Sequence, residues 1–205
     1  MSPSEVQRFE ITADGWCQGA QHVASPNFDE RPSGTPIDLL VIHNISLPPD
    51  QFGGHYIEEF FCNRLDVDAH PYFSRLRGVR VSAHFLIKRD GSSLQFVSTL
   101  KRAWHAGVST YCGRDRCNDF SIGIELEGTD TVPFEVAQYA TLAALTQALR
   151  VRHSLGDIAG HEHIAPGRKT DPGPFFDWNY FRKLLVATQP LALTGKPLRF
   201  LASSN

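Results

Sequence analysis

A chain of 205 residues with 41% hydrophobic and 20% charged side chains can bury a core without disulfide or metal staples, and its length suits one domain. Its formal net charge of -2, from 20 basic and 22 acidic residues, excludes a general attraction to nucleic acid or to an anionic membrane surface. No run approaches the roughly 18 apolar residues of a membrane span, and no apolar stretch follows a basic start at the N-terminus, so the expectation is a cytoplasmic protein.

In chain order, residues 37–43 form a short apolar run after Pro36 that reads as a strand buried on both faces, with His43 at its C-terminal end. Residues 55–62 read as a short helix. Residues 84–97 read as a hairpin turning at Asp90-Gly91. In residues 121–128 the side chains of Ile122, Ile124 and Leu126 face one way, and Gly123, Glu125 and Glu127 the other. Residue 134 to about 152 carries apolar residues at helical spacing (Val136, Tyr139, Leu142, Leu145, Leu149) and is the longest helix, expected across the sheet. Residues 158–163 read as another strand, and Asp177 as the cap of a last helix burying Phe181 and Leu185. The irregular stretches 63–80 and 99–119 are candidate cleft walls. The expected fold is an α/β single domain, a mixed central sheet flanked by helices, over residues 1–188, with 189–205 as a C-terminal arm or tail. Cys17, Cys62, Cys112 and Cys117 contain no CxxC pair and read as free thiols.

The chemistry concentrates in residues 160–174, a loop with three prolines that carries His161, His163, Lys169 and Asp171. Fixed proline φ angles suit a loop that must hold side chains in place. His43, closing a buried strand, stands at a sheet rim where sites form. On a strand, His161 and His163 at i and i+2 would share a face. Two ligand sets therefore stay open, His43 with both loop histidines, or His43, His161 and Asp171, each leaving a fourth tetrahedral position for water. Glu125, a carboxylate on an otherwise apolar strand, is costly to bury without a purpose and can act as the base for a metal-activated water. Lys169 can meet the charge of an oxyanion. Of the remaining histidines, His22, His55, His70 and His153 read as surface or capping residues, and His84 and His105 as core or cleft-lining.

Several blocks together resemble a known family: Val41-Ile42-His43-Asn44, Phe52-Gly53-Gly54, the stretches 80–85, 103–107 and 118–128, and the loop 161–174. They are similar to the zinc N-acetylmuramoyl-L-alanine amidases of the second type, whose fold is shared with the peptidoglycan recognition proteins. Within that family they look closest to the cytoplasmic amidases acting on 1,6-anhydro-N-acetylmuramoyl-L-alanine muropeptides in cell-wall recycling. The resemblance implies one Zn2+ held by His43, His161 and Asp171, with Glu125 as the catalytic carboxylate and Lys169 as oxyanion partner. It leaves His163 as a bystander. It further implies that Arg80 and Arg116 receive stem-peptide carboxylates, that Asn44 and Trp104 line the cleft, and that the substrate is a small soluble muropeptide bound by a monomer. The alternatives are an envelope amidase on intact peptidoglycan and a non-catalytic peptidoglycan-binding module.

Overall fold

The apolar run after Pro36 becomes the strand Leu39–Ile45, and its neighbours on both sides are parallel to it. The computed structural model describes residues 8–188 and 198–201. Among these, seven strands form one sheet in the order Arg199–Phe200, Asp157–Gly160, Leu39–Ile45, Ser121–Glu127, Phe85–Ile87, Ser93–Gln95, Gln21–His22. The Phe85–Ile87 and Ser93–Gln95 pair is antiparallel and the others are parallel, so the sheet is mixed. The expected hairpin is present, and Gly91 at φ 86 supplies the left-handed residue its turn requires. Two-residue strand pairs fill much of the chain before residue 30 and the stretch 102–115, where the sequence carried no periodic signal.

The two sheet faces are covered differently. On one face Leu40, Ile42, Ile122, Ile124 and Leu126 pack under helices α2 (Val136–Arg152) and α4 (Trp178–Ala187), with Leu142, Leu145, Phe181 and Leu185 in the same cluster. Helix α2 opens on a capping box between Glu135 and Gln138. The buried Gln138 amide also donates to the carbonyls of Ile87 and Glu127, which ties the helix to two strand ends. Helix α4 is capped as expected, with Asp177 accepting from the Tyr180 N–H at 2.8 Å.

The opposite face carries two separate clusters. One gathers Leu86, Leu94 and Phe96 under helix α1 (Tyr56–Phe61) and the 3-10 turn Pro71–Leu76. The other gathers Leu39, Val41 and Ala159 under Ala106, Tyr111, Cys117 and Phe120 of the long irregular segment. That segment can lie flat on the sheet because residue 123 is glycine: a Cβ there would stand 2.5 Å from His105 Cγ.

Residues 189–197 and 202–205 of the expected arm lie outside the described residues. Within it, Arg199–Phe200 pairs in parallel with Asp157–Gly160 and forms one sheet edge. No disulfide links the four cysteines; Cys17, Cys62 and Cys117 are buried and Cys112 is exposed. Among the described residues no helix is long and apolar enough to cross a membrane.

The Gly123 contact gives a direct expectation. Gly123→Ala forces a ring off the sheet rather than straining the backbone, and should destabilise the fold by roughly 1–3 kcal/mol, the usual cost of overpacking. Urea unfolding of the purified variant measures it, and an unchanged midpoint would show that the loop can yield at no cost.

Candidate metal centre and cleft

Register pairing places His43 directly beside Glu125, and Ile45 beside Glu127, on the face without the long helices. His161 reaches the same point from the next strand, since Asp157–Gly160 ends one residue before it and α3 (His161–Ile164) begins there. Gly160 allows the approach, because a Cβ at that position would lie 2.7 Å from Pro172 Cδ. The Glu162 N–H then donates to the Asp171 carbonyl at 2.9 Å, which closes the loop and returns Asp171 to His161.

The result is a triangle. His43 Nδ1, His161 Nδ1 and Asp171 Oδ2 are each 3.0 Å from the other two. A tetrahedral zinc with bonds of roughly 2.0–2.1 Å would hold its donors about 3.3 Å apart, so two imidazoles and a carboxylate at this spacing fit that ion in both geometry and donor type. His161 Nε2 lies 3.0 Å from the Ala106 carbonyl, to which it donates, so its Nδ1 is the free donor. Arg168 binds the same carbonyl at 2.7 Å and that of Val108 at 2.6 Å.

His163 does not join them. The expected strand 158–163 stops at Gly160 and turns into a helix, so the two histidines do not share a face. His163 Nδ1 accepts from the Gly160 N–H at 2.8 Å, and its ring lies 5.7 Å from that of Trp178. The three-histidine set is thereby excluded by geometry.

The trio stands at the polar end of a cleft of about 420 Å³, in the gap between the two clusters of that face. Glu125, Lys169, Asn44, Trp104 and His105 line the same cleft, and Leu47, Phe60, Tyr72, Leu76 and Val79 form its apolar end. A larger groove of about 850 Å³ beside Phe134, Phe176 and Trp178 holds none of the three donors. Asn44 lines the wall with its amide already engaged, donating to Asp130 Oδ1 at 2.7 Å and to the Pro172 carbonyl at 3.1 Å. Arg80 borders an adjoining hollow with Phe60, Leu76 and Val79 rather than the cleft itself. Arg116 is 68% exposed and paired with Asp119 at 3.2 Å, also away from the cleft lining. Glu127 is buried; its carboxylate accepts from the Gly53 N–H at 2.5 Å and the Arg89 N–H at 3.1 Å, which ties two main-chain segments to the strand end.

The sequence profile of the N-acetylmuramoyl-L-alanine amidase family matches residues 33–174. The chain belongs to that family. It is 57% identical over 179 residues to the 1,6-anhydro-N-acetylmuramyl-L-alanine amidase AmpD of Escherichia coli strain K12, a match spanning 85% of this chain and 97% of that one. The crystal structure of a selenomethionine AmpD derivative superposes with a TM-score of 0.82 at 55% identity, covering 85% of this chain and 99% of that chain. The E. coli amidase AmiD, in complex with the substrate anhydro-N-acetylmuramic acid-L-Ala-D-gamma-Glu-L-Lys, superposes with a TM-score of 0.54 at 28% identity over 85% of this chain and 65% of that chain.

The amidase site is electrostatically uneven. Burial, then the neighbouring His161, pushes the His43 imidazole down to about 4, against the pull of Asp171. Burial alone would raise the Asp171 carboxyl, yet its contacts with His161 and His43 outweigh it and hold the group well below the ordinary carboxylate range. Glu125 goes the other way: burial and the Asp171 charge push it well above its usual value, with Lys169 opposing. Its Oε2 has no hydrogen-bond partner within the protein.

Sequence reasoning read His105 as core or cleft-lining, and it does line the cleft, but passed over Ser121, Asn118 and Arg31. Asn118 Oδ1 accepts from the His105 and Ala106 N–H groups at 3.2 and 2.8 Å. The buried Arg31 guanidinium donates to the carbonyls of Asn118, Asp119 and Ser121. Only the small-residue setting of Ala103-Trp104-His105-Ala106-Gly107 hinted at close packing there.

These shifts set a pH dependence for the metal-free amidase. His43 and His153 are pushed down to about 4, and His84 and His105 also lie well below the ordinary imidazole value, all chiefly by burial. Between about 6.5 and 4 the unfolded chain therefore binds more protons at these four groups, and stability present above 6.5 is lost as pH falls. Glu125 and Glu162, both raised, act oppositely, but His163 is lowered as well, so two groups stand against five. The melting temperature of chelator-treated protein should fall between pH 7 and pH 4.5, and His153→Gln should flatten part of that fall. A melting temperature constant over this window would contradict the assignment.

Proposed function

We propose that this chain is a zinc-dependent 1,6-anhydro-N-acetylmuramoyl-L-alanine amidase that hydrolyses the amide between the lactyl group of the anhydro sugar and L-alanine of the stem peptide. The observation that carries this reading is the convergence of His43, His161 and Asp171 beside the buried Glu125 in one cleft. The activity printed for AmpD at 57% identity and the anhydromuropeptide held by AmiD support the substrate class.

His43, His161 and Asp171 would hold the zinc, which when bound supplies a Lewis acid that acidifies water and polarises the scissile carbonyl. Glu125 takes the proton of the attacking water and delivers it to the alanine nitrogen as the C–N bond breaks. Its burial and unpartnered oxygen suit that work, since a carboxylate pushed up in value holds the proton between the two transfers. Lys169, on the cleft wall, places an ammonium toward the negative charge that builds on the carbonyl oxygen. Trp104 and the apolar end of the cleft offer a surface for the sugar and the alanine methyl group. Arg80 and Arg116, at the margins, would receive the stem peptide's carboxylates with guanidinium forks. In this reading residues 1–188 carry the activity, the substrate is soluble, and the enzyme works in the cytoplasm as a monomer, in the recycling of cell-wall fragments.

Three measurements test it. Chelator-treated protein should lose amide cleavage and recover it with zinc. Glu125→Ala should keep stoichiometric zinc while kcat falls by roughly 10²–10⁴-fold, and Lys169→Ala should lower kcat by roughly 10²–10³-fold. Near wild-type turnover in Glu125→Ala would remove the assigned base. Rates on soluble anhydro-muropeptide should exceed those on polymeric sacculi, and the reverse order would favour an envelope amidase.

A further inference from the structure

Behind His43 runs a chain of hydrogen bonds that ends on a group able only to accept. His43 Nε2 lies 3.0 Å from His105 Nδ1, and His105 Nε2 lies 3.2 Å from Ser121 Oγ. Ser121 Oγ in turn lies 2.6 Å from the Cys117 carbonyl oxygen. A hydroxyl has one hydrogen and a carbonyl has none, so Ser121 donates to Cys117 and must accept from His105. His105 therefore carries its proton on Nε2 and presents Nδ1 as a lone pair. His43 then donates from Nε2, which leaves its Nδ1 unprotonated on the side shared with His161 and Asp171.

This arrangement differs from that of the other imidazole ligand. Metal-binding histidines usually give the outer N–H to a carboxylate, a backbone carbonyl or water, and His161 does so at the Ala106 carbonyl. A carbonyl or carboxylate dictates the tautomer by itself. A neutral imidazole does not, because it can donate or accept at either nitrogen. The partner of His43 is of that ambiguous kind, and the ambiguity is removed only by the hydroxyl beyond it.

We propose that His105 and Ser121 are positioning residues that select the metal-binding tautomer of His43, with the Ser121 hydroxyl as the deciding group. The inference rests on the zinc amidase reading of the site. The relay is built rather than incidental. Ser121 is fully buried and His43 is 1% exposed. The His105 ring lies against Gly123, where no side chain would fit, and Asn118 holds the His105 main chain. Arg31 grips the carbonyls of Asn118, Asp119 and Ser121, which fixes the turn that carries the Cys117 acceptor. The same segment supplies Ala106, so one loop sets the tautomers of both imidazole ligands.

The test compares wild type, Ser121→Ala, His105→Asn and the double variant by two readouts. The first is imidazole ¹⁵N chemical shifts in metal-free protein, which report the tautomer of each histidine. The second is zinc affinity from chelator competition. Wild type should show His43 and His105 as single Nε2–H tautomers. Ser121→Ala should leave His105 a mixture and weaken zinc binding by roughly 10–100-fold. In His105→Asn an amide oxygen can stand near the former Nδ1 and accept from His43 without help, so adding Ser121→Ala should cost nothing further, a coupling that plain loss of packing would not produce. The proposal is overturned if Ser121→Ala keeps both single tautomers and wild-type affinity, or if it weakens zinc equally in both backgrounds. Should wild type bind no zinc, the zinc reading fails, while the metal-free tautomers still decide whether the hydroxyl governs His43.

Discussion

In-register parallel pairing of Leu39–Ile45 with Ser121–Glu127 is the constraint from which the site is assembled. Side chains alternate along a strand, so one choice of register decides two things together. It turns Leu40, Ile42, Ile122, Ile124 and Leu126 into the helix-covered core, and it sets His43 against Glu125 on the other face. A slip of one residue would bury His43 among leucines and carry Glu125 away from it. The apolar face thus enforces the polar one.

The two sides of the sheet divide the work accordingly. Long helices with a continuous apolar contact cover the side that needs only stability. The other side is covered by short helical turns and irregular segments in two clusters, and the space between them is the cleft. Irregular chain is suited to this role because its carbonyls and amides are free to serve the site. Ala106 offers its carbonyl to both His161 and Arg168, and the Cys117 carbonyl anchors Ser121. Main-chain groups hold their positions without the rotamer freedom of side chains, which suits parts that must orient the His161 imidazole.

Strong periodicity was legible in the sequence. The buried strand at His43, the alternation around Glu125, the Asp-Gly hairpin and the long helix from residue 136 all follow from local patterns, and each appears in the structure within a few residues. The proline-bounded loop with His161, Lys169 and Asp171 was visible as chemistry, although spacing alone could not choose between His163 and Asp171. That choice depends on where a four-residue strand stops, and Gly160, needed for contact with Pro172, ends it one residue before His161. The hydrogen bonds of His105 and the places of Ser121 and Arg31 were not legible, because they depend on contacts between segments far apart in the chain. Nothing in the pattern around residue 105 announces that its ring will rest on a glycine of another strand.

Glu127 has a bearing on how firmly the strand of Glu125 is anchored. Two residues beyond Glu125, on the same strand and face, it grips the main chain at Gly53 and Arg89. Glu125 in the cleft and the main chain held by Glu127 are thus fixed at two stations along one strand. Any shift of the main chain at Gly53 or Arg89 would therefore have to pull on the strand that also sets the position of Glu125.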